Sequence, residues 1–158
     1  MCGIAGIFER DKDNKELMSE MLTAIKHRGP DDQAVYVHRD FTLGHRRLSI
    51  IDVTTCGNQP VFNEDKTVCV IFNGEIYNYE EIREELKNKG HVFYTATDTE
   101  VLVHLYEEHG TGLFNKLNGI FAFALLDMKN ERLILARDHF GVKPLHYFLK
   151  DGVLVFGS

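Results

Sequence analysis

The residue best placed to do chemistry is Cys2, directly behind Met1 in Met-Cys-Gly-Ile-Ala-Gly-Ile-Phe. Removal of Met1 leaves a thiol and a free α-amine on one residue, a nucleophile that carries its own base. A thiol titrates near ~8.5 and an α-amine near ~7.7–8.0, so around neutral pH the amine is partly unprotonated and takes the thiol proton directly or through one water. The bland alternative is a small buried residue opening a strand, the usual fate of a free cysteine.

Four further segments bear on what such a nucleophile needs. Asn73-Gly74-Glu75 follows the apolar run Val68–Phe72. Asn-Gly is first a turn signal, because both residues tolerate positive φ. Its functional alternative is an oxyanion hole, in which a side-chain amide and a sterically bare Gly N–H stabilise the charge that attack on an amide develops. Gly44-His45-Arg46-Arg47-Leu48-Ser49 puts two guanidinium groups in a strand-like segment whose neighbours face opposite sides. One arginine should then point away from solvent if the other faces it, and a carboxylate ligand would satisfy it through a bidentate pair. An internal salt bridge to Asp52 or Asp98 is the plainer reading. The segments His27–Asp32 and Arg137–Pro144 are turn-rich, and a positioning role around the site is compatible with both.

Other chemistries are poorly supported. Three cysteines, Cys2, Cys56 and Cys69, form no Cys-x-x-Cys pair, which argues against a disulfide framework and a structural zinc site. Cys69 lies in the apolar run and reads as inert core; Cys56 has no assigned role. The eight histidines lack His-Glu-x-x-His spacing, so no metal site is expected. Nor is there a Gly-x-x-x-x-Gly-Lys phosphate loop.

The elements that must position these groups follow from hydrophobic period. Strands are predicted at Ile4–Phe8, Gln33–Val37, Phe41–Ile51, Val68–Phe72, Ile120–Asp127, Arg132–Arg137, Leu145–Leu149 and Val153–Phe156. Helices are predicted at Asn14–Ile25, Tyr79–Lys89 and Thr99–His109, the last with Asp98 as N-cap. Strands at both ends with helices between them indicate α+β layering. At 158 residues, 44% hydrophobic and 27% charged, the chain makes one domain with one substantial core. A net charge of −6 gives no basic footprint for nucleic acid. The apolar start is broken by Glu9, Arg10 and Asp11, too short for a signal peptide or membrane span, so the chain is expected to be cytoplasmic and away from membranes.

Taken together, Cys2-Gly3-Ile4, His27-Arg28-Gly29-Pro30-Asp31, Arg47-Leu48-Ser49-Ile50-Ile51-Asp52, Phe72-Asn73-Gly74-Glu75-Ile76-Tyr77-Asn78 and Asp98-Thr99-Glu100 resemble the class II glutamine amidotransferase domain of asparagine synthetases. Arg137-Asp138-His139-Phe140-Gly141 with Lys143-Pro144-Leu145 continues the resemblance, which covers essentially the whole chain. It implies the N-terminal nucleophile hydrolase fold, a four-layer αββα sandwich. It makes Cys2 the nucleophile, Asn73 and Gly74 the oxyanion hole, and Arg47 the holder of the glutamine α-carboxylate. Asp98 and Glu75 match positions near the α-amino group. Other class II branches carry Arg-Trp or Arg-Tyr in the arginine strand, and this chain has no Trp.

The resemblance further implies glutamine as substrate and no cofactor in this domain, with residues 1–158 the glutaminase half. A C-terminal synthetase domain using ATP and magnesium would lie outside this chain, with a homodimer among the assemblies allowed. Two alternatives stay open: a related amidotransferase with an acceptor other than aspartate, and a non-catalytic glutamine-binding module if Met1 is retained.

Overall fold

A computed structural model describes residues 2–49 and 57–158. The chain order is β1 (Gly3–Phe8), α1 (Lys15–Ala24), β2 (Asp32–His38), β3 (Phe41–Arg47), β4 (Val61–Phe62), β5 (Val68–Ile76), α2 (Tyr79–Asn88), α3 (Val101–His109), β6 (Gly119–Asp127), β7 (Arg132–Arg137), β8 (His146–Lys150) and β9 (Val153–Gly157). Short 3-10 turns follow α1 (Lys26–Arg28) and α3 (Gly110–Asn115).

The strands form two antiparallel sheets, ordered β2-β3-β1-β9-β8 and β4-β5-β6-β7. Period-two alternation decides what each face meets. On β1, Ile4 faces the second sheet, while Ala5 and Ile7 face Met18 and Leu22 of α1. On β5, Cys69 and Ile71 face the first sheet, while Val70 and Phe72 meet Ile82 and Leu86 of α2 and Leu102 of α3. Helix, sheet, sheet, helix is the expected αββα sandwich of the N-terminal nucleophile hydrolase type. Its centre is the layer between the sheets, where Leu43 and Phe156 close on Ala122 and Ala124.

Three sequence expectations need correction, and one element was not expected. First, β5 does not end at Phe72 in an Asn-Gly turn: it continues to Ile76, because β6 pairs with every residue from Val68↔Asp127 to Ile76↔Gly119. Continuous pairing outweighs a local turn preference, and Gly74 suits the strand for another reason. A Cβ there would lie 2.3 Å from the Ile120 carbonyl oxygen, so the β6 backbone could not approach. Second, β3 stops at Arg47; residues 50 and 51 of the longer expected strand lie outside the described residues, as do Cys56 and the salt-bridge candidate Asp52. Third, Asp98 does not cap α3, which begins at Val101 with Glu100 in the N-cap position and no side-chain cap. The unexpected element is the two-residue β4, too short for any periodic signal.

Candidate active site

Cys2 continues the alternation of β1 and shares the inward side of Ile4. Its Sγ accepts a hydrogen bond from the Leu48 N–H at 3.4 Å and lies 3.7 Å from the Leu48 carbonyl oxygen. Leu48 immediately follows β3, so the strand beside β1 ends where the thiol needs a partner. The Cys2 carbonyl is held by two donors, Arg28 Nε at 3.2 Å and the Asn73 amide nitrogen at 3.0 Å. The Asn73 amide oxygen accepts from Arg28 Nη2 at 3.1 Å, and Ser158 Oγ lies 3.4 Å from the same amide. Asn73 is thus fixed at one of its two N–H groups.

Arg28 therefore braces the Cys2 backbone and the Asn73 side chain together. Its 3-10 turn is pressed onto the end of β3: a Cβ on Gly29 would stand 2.4 Å from the Arg46 carbonyl carbon, which demands glycine. The Asp31 N–H donates to the Arg47 carbonyl at 3.1 Å, and Asp31 Oδ2 accepts from the Ser49 N–H at 2.8 Å. These bonds tie the His27–Asp32 segment to Cys2, Asn73 and the end of β3.

The open edge of β5 supplies the opposite wall. The Phe72 N–H donates to Gln59 Oε1 at 2.6 Å and the Ile76 N–H to Asp98 Oδ2 at 2.9 Å. Strand alternation aims the intervening Gly74 N–H at the same edge. Consistently, its partner Phe121 turns its own N–H to Asp138 Oδ2 (3.2 Å) and its carbonyl to the Asp138 N–H (2.8 Å), away from β5. Asn73 and Gly74 therefore present a side-chain amide and a backbone N–H from adjacent positions.

The two adjacent arginines both lie below 8% exposure, so neither faces solvent. Both faces of this sheet are covered. Arg46 points outward under α1, donating through Nε to the Leu22 carbonyl at 2.9 Å. Arg47 points inward, with Nη1 on Asn58 Oδ1 at 2.5 Å.

Cys2, Arg47, Asn73, Gly74, Glu75 and Asp98 all line one cavity of about 180 Å³, together with Leu48, Gln59, Thr97, Thr99 and Lys143. Sequence reasoning missed Gln59, which satisfies the β5 edge from the chain just before β4, and Lys143. The signal for Lys143 was the Asp138 turn. That carboxylate accepts from the N–H groups of Phe121, Phe140, Val142 and Lys143 at 3.0–3.2 Å and so folds the 138–143 loop over the cavity. Burial works against the charged form, but these backbone donors prevail and hold Asp138 below the usual carboxylate range.

Electrostatics sort the remaining groups. Burial raises the Asp98 carboxyl above its ordinary range, with the Glu75 charge adding to it, against N–H donors from Ile76 and Thr99. A cation in the cavity would reverse that cost. His45, on the inner face beside Arg47, is driven down to about 3 by burial, with the Arg47 charge adding to the effect and a bond to the Phe72 backbone opposing it. It is too weak a base for chemistry near neutral pH. Burial pushes the Cys69 thiol up to about 12, as its core reading requires. Among the described residues, no helix is long and apolar enough to cross a membrane.

Comparison with known proteins agrees with this geometry. The family model described as "Glutamine amidotransferase domain" matches residues 1–158. Glutamine-hydrolyzing asparagine synthetase 2 of Arabidopsis thaliana is 46% identical over 162 residues, covering 100% of this chain and 28% of the relative. Glutamine-hydrolyzing asparagine synthetase 1 of Bacillus subtilis is 44% identical over 163 residues, covering 100% of this chain and 26% of the relative. The chain thus spans little more than a quarter of these curated relatives. Among solved structures, the glutamine phosphoribosylpyrophosphate amidotransferase of Bacillus subtilis matches with a TM-score of 0.80 over 99% of this chain and 41% of that chain. At 22% identity this is a likeness of fold.

Proposed function

The chain belongs to the glutamine amidotransferase domain family, and we propose that its cavity hydrolyses the side-chain amide of glutamine on Cys2 once Met1 has been removed. The observation that carries this reading is convergence: residues from the chain start, the end of β3, the edge of β5 and the segment before α3 line one cavity beside a thiol.

In this mechanism the α-amine of Cys2 takes the thiol proton, and Sγ attacks the amide carbon. The resulting oxyanion accepts hydrogen bonds from the second Asn73 N–H and the Gly74 N–H, donors already fixed before the charge appears. The protonated α-amine then delivers its proton to the leaving nitrogen, and the C–N bond breaks to give ammonia and a γ-glutamyl thioester. Water, deprotonated by the same amine, attacks the thioester and releases glutamate and the thiol. His45 is held neutral and nearly non-basic, which leaves the α-amine as the general base.

Arg47 clamps the α-carboxylate, and Asp98 with Glu75 the α-ammonium. A zwitterion held at both charges presents only its amide end to the thiol. The relatives' names, asparagine synthetase (glutamine-hydrolyzing), support aspartate as the ammonia acceptor; its amidation with ATP and magnesium in a C-terminal synthetase domain, in the cytoplasm, follows from the family resemblance alone.

The test is glutamate release by the wild type and Cys2→Ala, with intact mass recorded for both. The wild type should lack Met1 and show a transient γ-glutamyl adduct during turnover, whereas Cys2→Ala should release no glutamate. Hydrolysis at the wild-type rate by Cys2→Ala would refute the nucleophile. A retained Met1 with tight but unproductive glutamine binding would make the domain a binding module.

A further inference from the structure

We propose that Glu64, His91, His104 and Glu107 form a binding site for one divalent transition-metal ion, zinc by its ligand set. The residues come from three segments: Glu64 from the turn between β4 and β5, His91 from the chain after α2, and His104 with Glu107 from one turn of α3. One donor atom from each lies within 4.8 Å of all the others.

The distances between donors are close to those around a metal. His91 Nδ1 and His104 Nδ1 stand 3.6 and 3.1 Å from the same Glu107 Oε2, and Glu64 faces both rings with its two oxygens, Oε1 3.4 Å from His91 Nδ1 and Oε2 3.4 Å from His104 Nδ1. Four ligands at tetrahedral angles and about 2.0–2.1 Å from zinc are separated by roughly 3.3–3.4 Å. Two imidazoles with two carboxylates suit zinc, and such a closed set of four marks a structural rather than a catalytic site.

The outer groups are arranged to orient these ligands. His91 Nε2 lies 3.2 Å from Glu108 Oε1, a carboxylate behind the ring that orients Nδ1 toward the cluster. His104 Nε2 has Glu100 Oε1 at 3.8 Å, beyond hydrogen-bond reach, while its Nδ1 faces the cluster. The carboxylate ligands are braced as well: Asn63 Nδ2 donates to Glu107 Oε1 at 2.7 Å and the Val92 N–H to Glu64 Oε1 at 2.9 Å.

The two imidazole rings pack with centroids 4.9 Å apart, and Glu64 and Glu107 both face them, so the charge of one divalent ion would be balanced by two carboxylates. His104 is fully buried, while Glu107 opens the cluster to solvent and offers a way in. The ion would staple α3 to the turn between β4 and β5. Glu100, behind His104, also accepts the N–H groups of Tyr94 and Thr95 at 2.7 Å, so the staple would stiffen the segment leading to Asp98.

The test is calorimetric titration of the chelator-treated chain with zinc chloride, alongside thermal melts. One ion should bind per chain, and at a free zinc concentration a hundred times Kd the melt should rise by roughly 5–10 °C. His91→Gln and Glu107→Gln should weaken binding on the order of 100-fold or more. Glu108→Gln, an outer-shell change, should weaken it by about 10–100-fold and remains usable if the others do not fold. Cys2→Ala should bind zinc like the wild type. No binding by the wild type overturns the site. So does binding that survives these cluster substitutions, or binding that Cys2→Ala abolishes, which would place the ion on the thiol.

Discussion

Arg46 and Arg47 are consecutive, alike and almost equally buried, yet they belong to different regions of the molecule. Arg46 lies in the layer between the first sheet and α1, where its guanidinium satisfies a carbonyl of the helix's last turn. Cations near a helix C-terminus suit both the free carbonyls and the dipole. Arg47 lies between the two sheets, at the rim of the cavity that Cys2 shares. Burial of a charge therefore does not by itself mark function. The face on which the side chain emerges decides it, and in a strand that face changes with every residue.

The sharpest test of the inner region is Asn73, because its two roles predict opposite outcomes. Asn73→Asp keeps the size but replaces a donor by an anion where the proposed mechanism develops oxyanion charge. Turnover should fall on the order of 10²–10³-fold, as for other such donors. The substituted side chain also faces the Cys2 carbonyl, so the melt should be recorded beside it. Unchanged turnover would remove Asn73 from the oxyanion hole and leave it a brace for Cys2.

The arginine comparison itself comes next. Removing a charged partner from a partly buried site costs roughly 2–5 kcal/mol, on the order of 30-fold to several thousand-fold in affinity, so Arg47→Ala should raise KM by that factor. Arg46→Ala should leave KM near wild type. It should instead lower the melt, because a charge-assisted bond of about 1.5–3 kcal/mol is lost, equivalent to roughly 3–12 °C in a domain of this size. Equal effects on both readouts would mean that the two regions are one mechanical unit.

The inner region was legible in the sequence because each of its pieces is a short run at a strand or chain end. Cys2, Asn73-Gly74 and Arg47 can be read without knowing how the strands pair. What was missed is what pairing creates. The Asn-Gly turn signal is local, and nine consecutive pairs with β6 overrule it. Arg28 gave no sign that it would span Cys2 and Asn73, residues far apart in sequence. Nor did the histidine spacing hint at the cluster around His104, since His91 and Glu64 reach it from separate turns and only His104 and Glu107 share a helix turn. Apart from β5, and from β3, which ends at Arg47, four residues short of its predicted end, the predicted strands and helices fall within two residues of their bounds. The two-residue β4 carries no period to read.

Asp98 gives the smallest effect and the finest distinction. The sequence suggests an N-cap, in which case its loss would destabilise α3; the structure instead places its carboxylate on the Ile76 N–H at the edge of β5. Burial raises its pKa in the folded chain, and the sign of the consequence follows. Between the unfolded and folded values the folded state holds the extra proton, so this group's contribution to stability is intact at low pH and is lost as pH rises through the folded value. Asp98→Asn retains an oxygen for the Ile76 N–H and carries no charge. In the absence of glutamine it should therefore melt at or above the wild type at neutral pH. That advantage should vanish when the pH falls below the ordinary carboxylate range. The same substitution exchanges a charge-assisted contact with the α-ammonium for a neutral one, about 1–1.5 kcal/mol, so KM should rise about tenfold while Glu75 still offers a carboxylate. A lower melt at neutral pH with unchanged KM would restore the helix-cap role and detach Asp98 from substrate binding. A higher melt with a higher KM would show a buried carboxylate kept at a cost to stability for the cation it receives.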